Sequence, residues 1–107
     1  MDNFNLIYKI LSYLEKGLDF FEFDYSQFTA KAFKVSDERF EKLLIMLQSE
    51  GYIEGLYIRS FLSDNGYDRI KGDICPKITL KGLEYLHENS LMKKAAGLAK
   101  GVIDVIT

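Results

Sequence analysis

The stretch from Phe40 to Gly82 limits what this chain can fold into more than any other. Phe40, Leu43, Leu44 and Leu47 recur at helical spacing, which predicts an amphipathic helix from Ser36 to Glu50. Ser36 suits its N-cap, and Asp37 and Glu38 fall in the first turn, where the helix dipole favours acids. Gly51 ends the helix, and Tyr52 to Arg59 reads as a strand. The alternation in that strand is broken. Ile53 lies on one face while Leu56 and Ile58 share the other, so Gly55 predicts a bulge or bend. A polar loop, Ser63 to Gly66, follows, and its Asn65-Gly66 pair suits a tight hairpin turn. The return strand runs from Lys77 toward Gly82, with Pro76 at its start or on an edge, and Thr79 is placed to cap a new helix.

Helix, strand, loop, strand, helix in this order is the order of a winged helix-turn-helix. The rest of the chain completes that α+β reading. Phe4, Ile7, Tyr8, Leu11 and Leu14 predict a first helix ending near Gly17 as its C′ residue. Asp19 to Asp24 alternates acidic and apolar residues and is expected to be a short first strand, making a three-stranded sheet with the wing hairpin. A short second helix, capped by Asp24 or Ser26, is expected through Phe28, Ala30, Ala32 and Phe33. Roughly fifteen residues from Arg59 to Asp73 form a long wing. Leu80, Leu83 and Leu86 form the buried side of a fourth helix ending near Asn89. The expected organisation is a winged-helix domain over 1–89 and an amphipathic C-terminal helix over 90–107.

Charge restrains the functional reading. The 107 residues carry 14 Lys and Arg against 16 Asp and Glu. A domain built for nucleic-acid backbone is more often basic overall, so double-stranded DNA as a partner requires a local patch. The helix expected in the major groove offers Asp37, Glu38, Glu41 and Glu50 against Arg39 and Lys42. Acids read bases only as acceptors for cytosine amino groups, and at the helix start they stabilise the helix with no partner at all. Against this, Lys31 and Lys34 lie at the end of the second helix and in the turn, Arg39 and Lys42 are a helical step apart, and Arg59, Arg69 and Lys71 flank the wing. These seven form a candidate phosphate-contacting rim, with Tyr57 or Tyr67 as hydroxyl donors and Asp64, Asp68 and Asp73 diluting it. A solvated mixed-charge surface explains the same residues.

The segment from Leu91 to Ile106 is the second informative feature. At 3.6 residues per turn, Leu91, Ala95, Leu98, Val102, Val105 and Ile106 share one face, with Lys93, Lys100 and Asp104 opposite. That face needs a cover: the chain's own first helix, a second copy in a homodimer, or a membrane surface. Lys93, Lys94, Lys100 and Asp104 exclude a membrane span.

Motifs for catalysis are sparse, and the chain reads as non-enzymatic. His87 is the one imidazole, expected at a helix surface, and no base or orienting partner follows from its spacing. The glycines are scattered turn positions rather than a phosphate loop. Cys75 and His87 make no metal site by themselves, and no cofactor is expected. Cys75, expected to be a half-buried strand residue, has no disulfide partner in this sequence. No basic leader with an apolar run and no Asn-x-Ser/Thr acceptor occurs, so a cytoplasmic location is expected.

Three stretches resemble the YjcQ-like family of small bacterial and phage proteins. They are Phe4 to Leu11, Leu47 to Gly55, and Ile78 to Lys100 with its Thr79-Leu80-Lys81-Gly82-Leu83-Glu84-Tyr85-Leu86 and Met92-Lys93-Lys94-Ala95-Ala96 runs. Together they cover essentially the whole chain. The resemblance implies a winged-helix fold in a cytoplasmic or phage-borne protein and carries no activity with it. Ile78-Thr79-Leu80-Lys81-Gly82 is also similar to the strand-to-helix junction of MarR-like and PadR-like regulators. The expectation is a small DNA-binding regulator, with a winged-helix protein-interaction module as the alternative.

Overall fold

A computed structural model describes residues 2–60 and 67–90. Among these residues the arrangement is α+β, with three α-helices and four short strands: α1 (Asn3–Glu15), α2 (Asp37–Ser49), β1 (Ile53–Glu54), β2 (Tyr57–Arg59), β3 (Arg69–Lys71), β4 (Lys77–Ile78) and α3 (Leu80–Glu88). The expected Asn65-Gly66 turn and the helix from Leu91 to Ile106 lie outside the described residues.

Helix α1 begins where the Asp2 carboxylate accepts from the Phe4 and Asn5 amides at 2.7 and 3.2 Å. It buries Leu6, Tyr8, Ile10, Leu11, Tyr13 and Leu14, a stripe wider than the sequence spacing predicts, and leaves Phe4 largely exposed. Gly17 is its C′ residue, as the sequence predicts, but without the left-handed conformation that favours glycine there. The cap, Lys16, stays in the right-handed helical region, and a 3-10 turn, Lys16–Asp19, carries the chain onward. A Cβ on Gly17 would lie 3.2 Å from the Phe23 ring, so close packing is what a side chain there would disturb.

Two further expectations are corrected between α1 and α2. Among the described residues Phe20 to Asp24 pairs with no strand, and in place of a three-stranded sheet β1 pairs with β4 and β2 with β3 in two antiparallel two-stranded ladders. The short second helix shrinks to a single turn. Asp24 turns its carboxylate back on the Ser26 amide at 2.8 Å, a local turn that competes with capping. Thr29 caps instead, accepting from the Ala32 amide at 3.1 Å, and Phe33 donates back to the Thr29 carbonyl. The turn then closes at once, with Val35 bonding to Ala30 and Lys34 to Lys31 through their backbones while Lys34 takes φ 61°. This is a Schellman closure with lysine in the left-handed position that glycine usually fills.

Helix α2 follows the sequence expectation closely. Ser36 caps it through the Arg39 amide, and Phe40, Leu43, Leu44 and Leu47 are buried. The core between α1, the Thr29 turn and α2 is aromatic. Tyr13, Phe28, Phe33 and Phe40 lie with ring centroids 5.2 to 6.0 Å apart.

The two ladders are one interrupted hairpin. Ile53 faces Ile78 and Glu54 faces Lys77; then Tyr57 faces Lys71, Ile58 faces Ile70 and Arg59 faces Arg69. Between the ladders, two residues (55–56) oppose five (72–76). Gly55 at φ 98° makes the expected break. The break turns Leu56 inward, so Ile53 and Leu56 are both buried while Ile58 is half-buried. Pro76 lies just before β4 and is buried, with its carbonyl accepting from the Tyr25 hydroxyl at 2.6 Å. Cys75 beside it is exposed rather than half-buried, because burial alternates along this stretch, with Ile74, Pro76 and Ile78 turned inward and Cys75 and Lys77 outward.

Helix α3 starts at Thr79, whose hydroxyl oxygen accepts from the Gly82 amide at 3.1 Å and whose proton goes to the Gly51 carbonyl. Leu80 is 75% exposed, against expectation, because it is the first helical residue and points away from the core; Gly82 and Leu86 are buried.

Candidate nucleic-acid interface

The expected basic rim divides into residues held by the fold and residues that project from it. Arg39, in the first turn of α2, donates from Nη1 to the Asn3 side chain of α1 at 2.8 Å. Arg69, on β3, donates from Nε to Glu41 at 2.7 Å, and the same carboxylate oxygen accepts from the Ile70 amide at 2.8 Å. The arginine side chain is 64% exposed and the glutamate side chain 18%. The guanidinium hydrogen bond, with the Ile70 amide adding to it, holds the Glu41 carboxyl below its usual range. Glu41 is therefore the clamp between α2 and the β2–β3 hairpin, a role invisible in its place among four acids of a helix.

Gln48 clamps the same hairpin further along. Its side-chain amide donates to the Leu56 carbonyl at 2.9 Å and accepts from the Leu56 amide at 2.8 Å. Leu56 lies in the gap between the ladders, where no opposing strand residue is in register with it. The glutamine acts as the missing strand partner, which satisfies both backbone groups.

Lys31 is exposed on the Thr29 turn, and Lys34 is exposed at its left-handed closure. Lys9 of α1 approaches Lys34. Its pKa is held below the usual lysine value, first by desolvation and then by the Lys34 charge. Nothing in the sequence marks Lys9, because only the tertiary fold brings the middle of α1 beside the turn. Lys9, Lys31 and Lys34 thus concentrate positive charge around the helix-to-helix turn.

The other side of α2 is acidic. Asp37, Glu38, Glu41 and Asp68 line a cleft of about 410 Å³ with Lys42, Tyr67 and Arg69. Lys42 therefore faces carboxylates rather than the lysines of the turn. Arg59 and Arg69 oppose each other across the β2–β3 ladder, and Lys71 opposes the exposed Tyr57. Of the seven basic residues, Lys34 acts on Lys9 of α1, Lys42 and Arg69 line one cleft, and Arg59 and Lys71 lie on the hairpin strands.

Among the described residues, no three His, Cys, Asp or Glu side chains converge to hold a metal ion, and no helix is long and apolar enough to cross a membrane. His87 is exposed in the last turn of α3.

Neither the curated proteins nor the solved structures contain a match to this chain. The family model described as YjcQ protein does match, over residues 8–105. That span takes in the α1 core, the Thr29 turn, both clamps on α2 and the Thr79 junction, and so the chain belongs to the YjcQ family.

Proposed function

We propose that this protein is a small non-enzymatic regulator of the winged helix-turn-helix type that binds double-stranded DNA. The observation that carries the reading is the unit formed by the Thr29 turn, the left-handed closure at Lys34 and the Ser36-capped α2, with a hairpin clamped to α2. In such a unit the second helix presents its N-terminal half to the major groove while flanking cations hold phosphates. Lys9, Lys31 and Lys34 supply the phosphate contacts at the turn, and Lys71 and Arg59 supply those of the wing. Arg39 and Arg69 orient α1 and the hairpin through Asn3 and Glu41. Asp37 and Glu38 then accept from cytosine amino groups or cap the helix.

The test is retention of short duplex DNA by the full chain across a salt series. Contacts from three to five cations predict that log affinity falls with log salt at a slope of about −3 to −4.5. Lys9→Ala/Lys31→Ala/Lys34→Ala should lower that slope by about 3 without loss of the folded helical signal. Retention that ignores salt and survives the triple substitution defeats the proposal.

One observation favours a second reading, a protein-interaction module. The cleft along α2 carries four carboxylates against two cations, which suits a cationic segment of a protein better than a phosphate backbone. Absence of DNA retention at low salt, together with binding of a Lys/Arg-rich peptide that Glu38→Lys abolishes, would establish that reading instead.

A further inference from the structure

The β2–β3 hairpin sorts its residues by face. Residues directly opposite in an antiparallel ladder share a face, and faces alternate along each strand. Ile58 and Ile70 therefore share the inner face, and both pack half-buried against the core. Tyr57, Arg59, Arg69 and Lys71 share the outer face, and Tyr57, Arg59, Arg69 and Lys71 are all exposed. Neither strand holds an acid, and Asp68, just before β3, lines the cleft along α2. Glu41 reaches Arg69 from α2 and takes its Nε, yet the arginine side chain stays largely open. In a chain of 16 acids against 14 bases, this face carries three cations and no acid of its own.

The cations alone would suit any polyanion, but the ring among them narrows the choice. Tyr57 is 76% exposed, and its ring meets no other ring among the described residues. Duplex DNA shows a protein its phosphates and the edges of its stacked bases, so it would engage the cations and leave the face of the ring idle. A single strand offers phosphates and base faces together, and an aromatic ring set among cations takes both. The two arginines and the lysine are donors only, so on this face the Tyr57 hydroxyl alone could accept from a ribose 2′-hydroxyl. The face therefore has little with which to favour RNA over DNA.

We propose that the outer face of the β2–β3 hairpin binds single-stranded DNA, with a base stacked on Tyr57 and neighbouring phosphates on Arg59, Arg69 and Lys71. The site shares Arg59 and Lys71 with the duplex reading but does not rest on it, since it needs neither α2 nor the lysines of the turn.

The test is fluorescence anisotropy of a labelled oligothymidylate of about twelve nucleotides, titrated with the full chain across a salt series. The Tyr57 side chain is exposed, so its variants should keep the parent's helical signal. Tyr57→Leu should weaken binding about tenfold or more at an unchanged salt slope, while Tyr57→Phe keeps the stack and the affinity. Arg59→Ala/Lys71→Ala should lower the slope of log affinity against log salt by about 1.4, the share of two phosphates on a single strand. Lys9→Ala/Lys31→Ala/Lys34→Ala should leave oligothymidylate binding as it was. That last variant separates the two readings: duplex retention can fail while the hairpin still holds a single strand, and the reverse. No binding of oligothymidylate at low salt overturns the proposal, as does a Tyr57→Leu chain that binds like the parent. Loss of binding in the turn-lysine variant would move the strand to the turn and overturn it as well. Oligouridylate held at least tenfold more tightly would overturn the assignment to DNA.

Discussion

Gln48 shows how much can rest on a single uncharged side chain. Its two hydrogen bonds occupy the amide and the carbonyl of Leu56 at the point where the hairpin's own ladder is interrupted. Gln48→Ala leaves both groups half-buried and unpaired, at about 1–3 kcal/mol each. Gln48→Glu is the sharper probe, because shape is kept while the donor to the Leu56 carbonyl becomes a carboxylate oxygen. At neutral pH it should cost about 2–3 kcal/mol in a urea titration. The introduced carboxyl would be favoured in its protonated form in the folded state. Its folded pKa would therefore be raised, so the deficit should shrink as pH falls toward 4. A deficit independent of pH would mean that packing, not the hydrogen-bond pair, explains the loss. Gly82 is a steric counterpart. A Cβ there would stand 2.4 Å from the Tyr52 carbonyl oxygen and 2.6 Å from Ile78 Cγ1. Gly82→Ala must push backbone apart, and a loss of at least about 2 kcal/mol is expected in the same titration. The Thr79-Leu80-Lys81-Gly82 run thereby acquires a physical meaning. Thr79 caps α3 and bonds the Gly51 carbonyl, Lys81 donates to the Glu50 carbonyl at 2.7 Å, and Gly82 permits the approach of Tyr52. One short motif satisfies the end of α2 and starts α3.

Among the elements, the β2–β3 hairpin is the one held most locally, through Glu41. The Arg69–Glu41 pair is largely open on the arginine side and contributes little by itself, since water and salt screen an exposed ion pair. The bond from the Ile70 amide matters more, because Ile70 is half-buried and its donor has no substitute there. Glu41→Ala should cost about 1–3 kcal/mol and raise amide exchange in β2 and β3 while β1 and β4 keep their protection through Tyr25 and Thr79. Uniform loosening of all four strands would show that the hairpin is not anchored separately. What sequence discloses of these elements follows their physics. Helix α2 was legible because its cap, first-turn acids and apolar stripe are all local, and Gly55 announced the hairpin break. The second helix is shorter than its sequence pattern predicts. Ala30, Ala32 and Phe33 carry helical spacing, but the Asp24 turn and the closure at Lys34 leave room for one turn only. The expected strand at Asp19 to Asp24 alternates only from Phe21 onward, its phenylalanines divide between the Tyr13 and Tyr25 rings and open solvent, and it forms no ladder among the described residues. Of the candidate interface, residue types were legible and partners were not. Nothing local tells that Glu41 takes Arg69, that Asn3 takes Arg39, or that Lys9 reaches Lys34.

Across the whole molecule the phenols link core to pH. Tyr8, Tyr13, Tyr25 and Tyr85 all have pKa values raised above the ordinary tyrosine range, chiefly because burial disfavours the phenolate. Tyr13 and Tyr25 also donate to the carbonyls of Asp24 and Pro76, so each ties α1 or the Thr29 segment to another part of the chain. Ionisation would remove the donor and set a negative oxygen against a carbonyl. A group whose folded pKa is raised contributes stability in full below its unfolded pKa and loses it as pH climbs through the folded value. Stability should therefore hold level into mildly alkaline solution and fall steeply above about pH 10, the unfolded tyrosine value. Lys9 works in the opposite sense. Its folded pKa is lowered, so its neutral form favours the fold and it adds stability as pH rises. One lysine against four phenols leaves the net slope negative. Each fully ionising phenol contributes up to about 1.4 kcal/mol per pH unit between its unfolded and folded values. Urea midpoints measured from neutral to strongly alkaline pH, with phenolate absorbance followed in parallel, read this directly. Tyr13→Phe/Tyr25→Phe should lower stability at neutral pH by the loss of two hydrogen bonds, about 1–3 kcal/mol in all, and make the alkaline fall shallower. An unchanged alkaline slope in that variant would place the transition elsewhere than in the aromatic core.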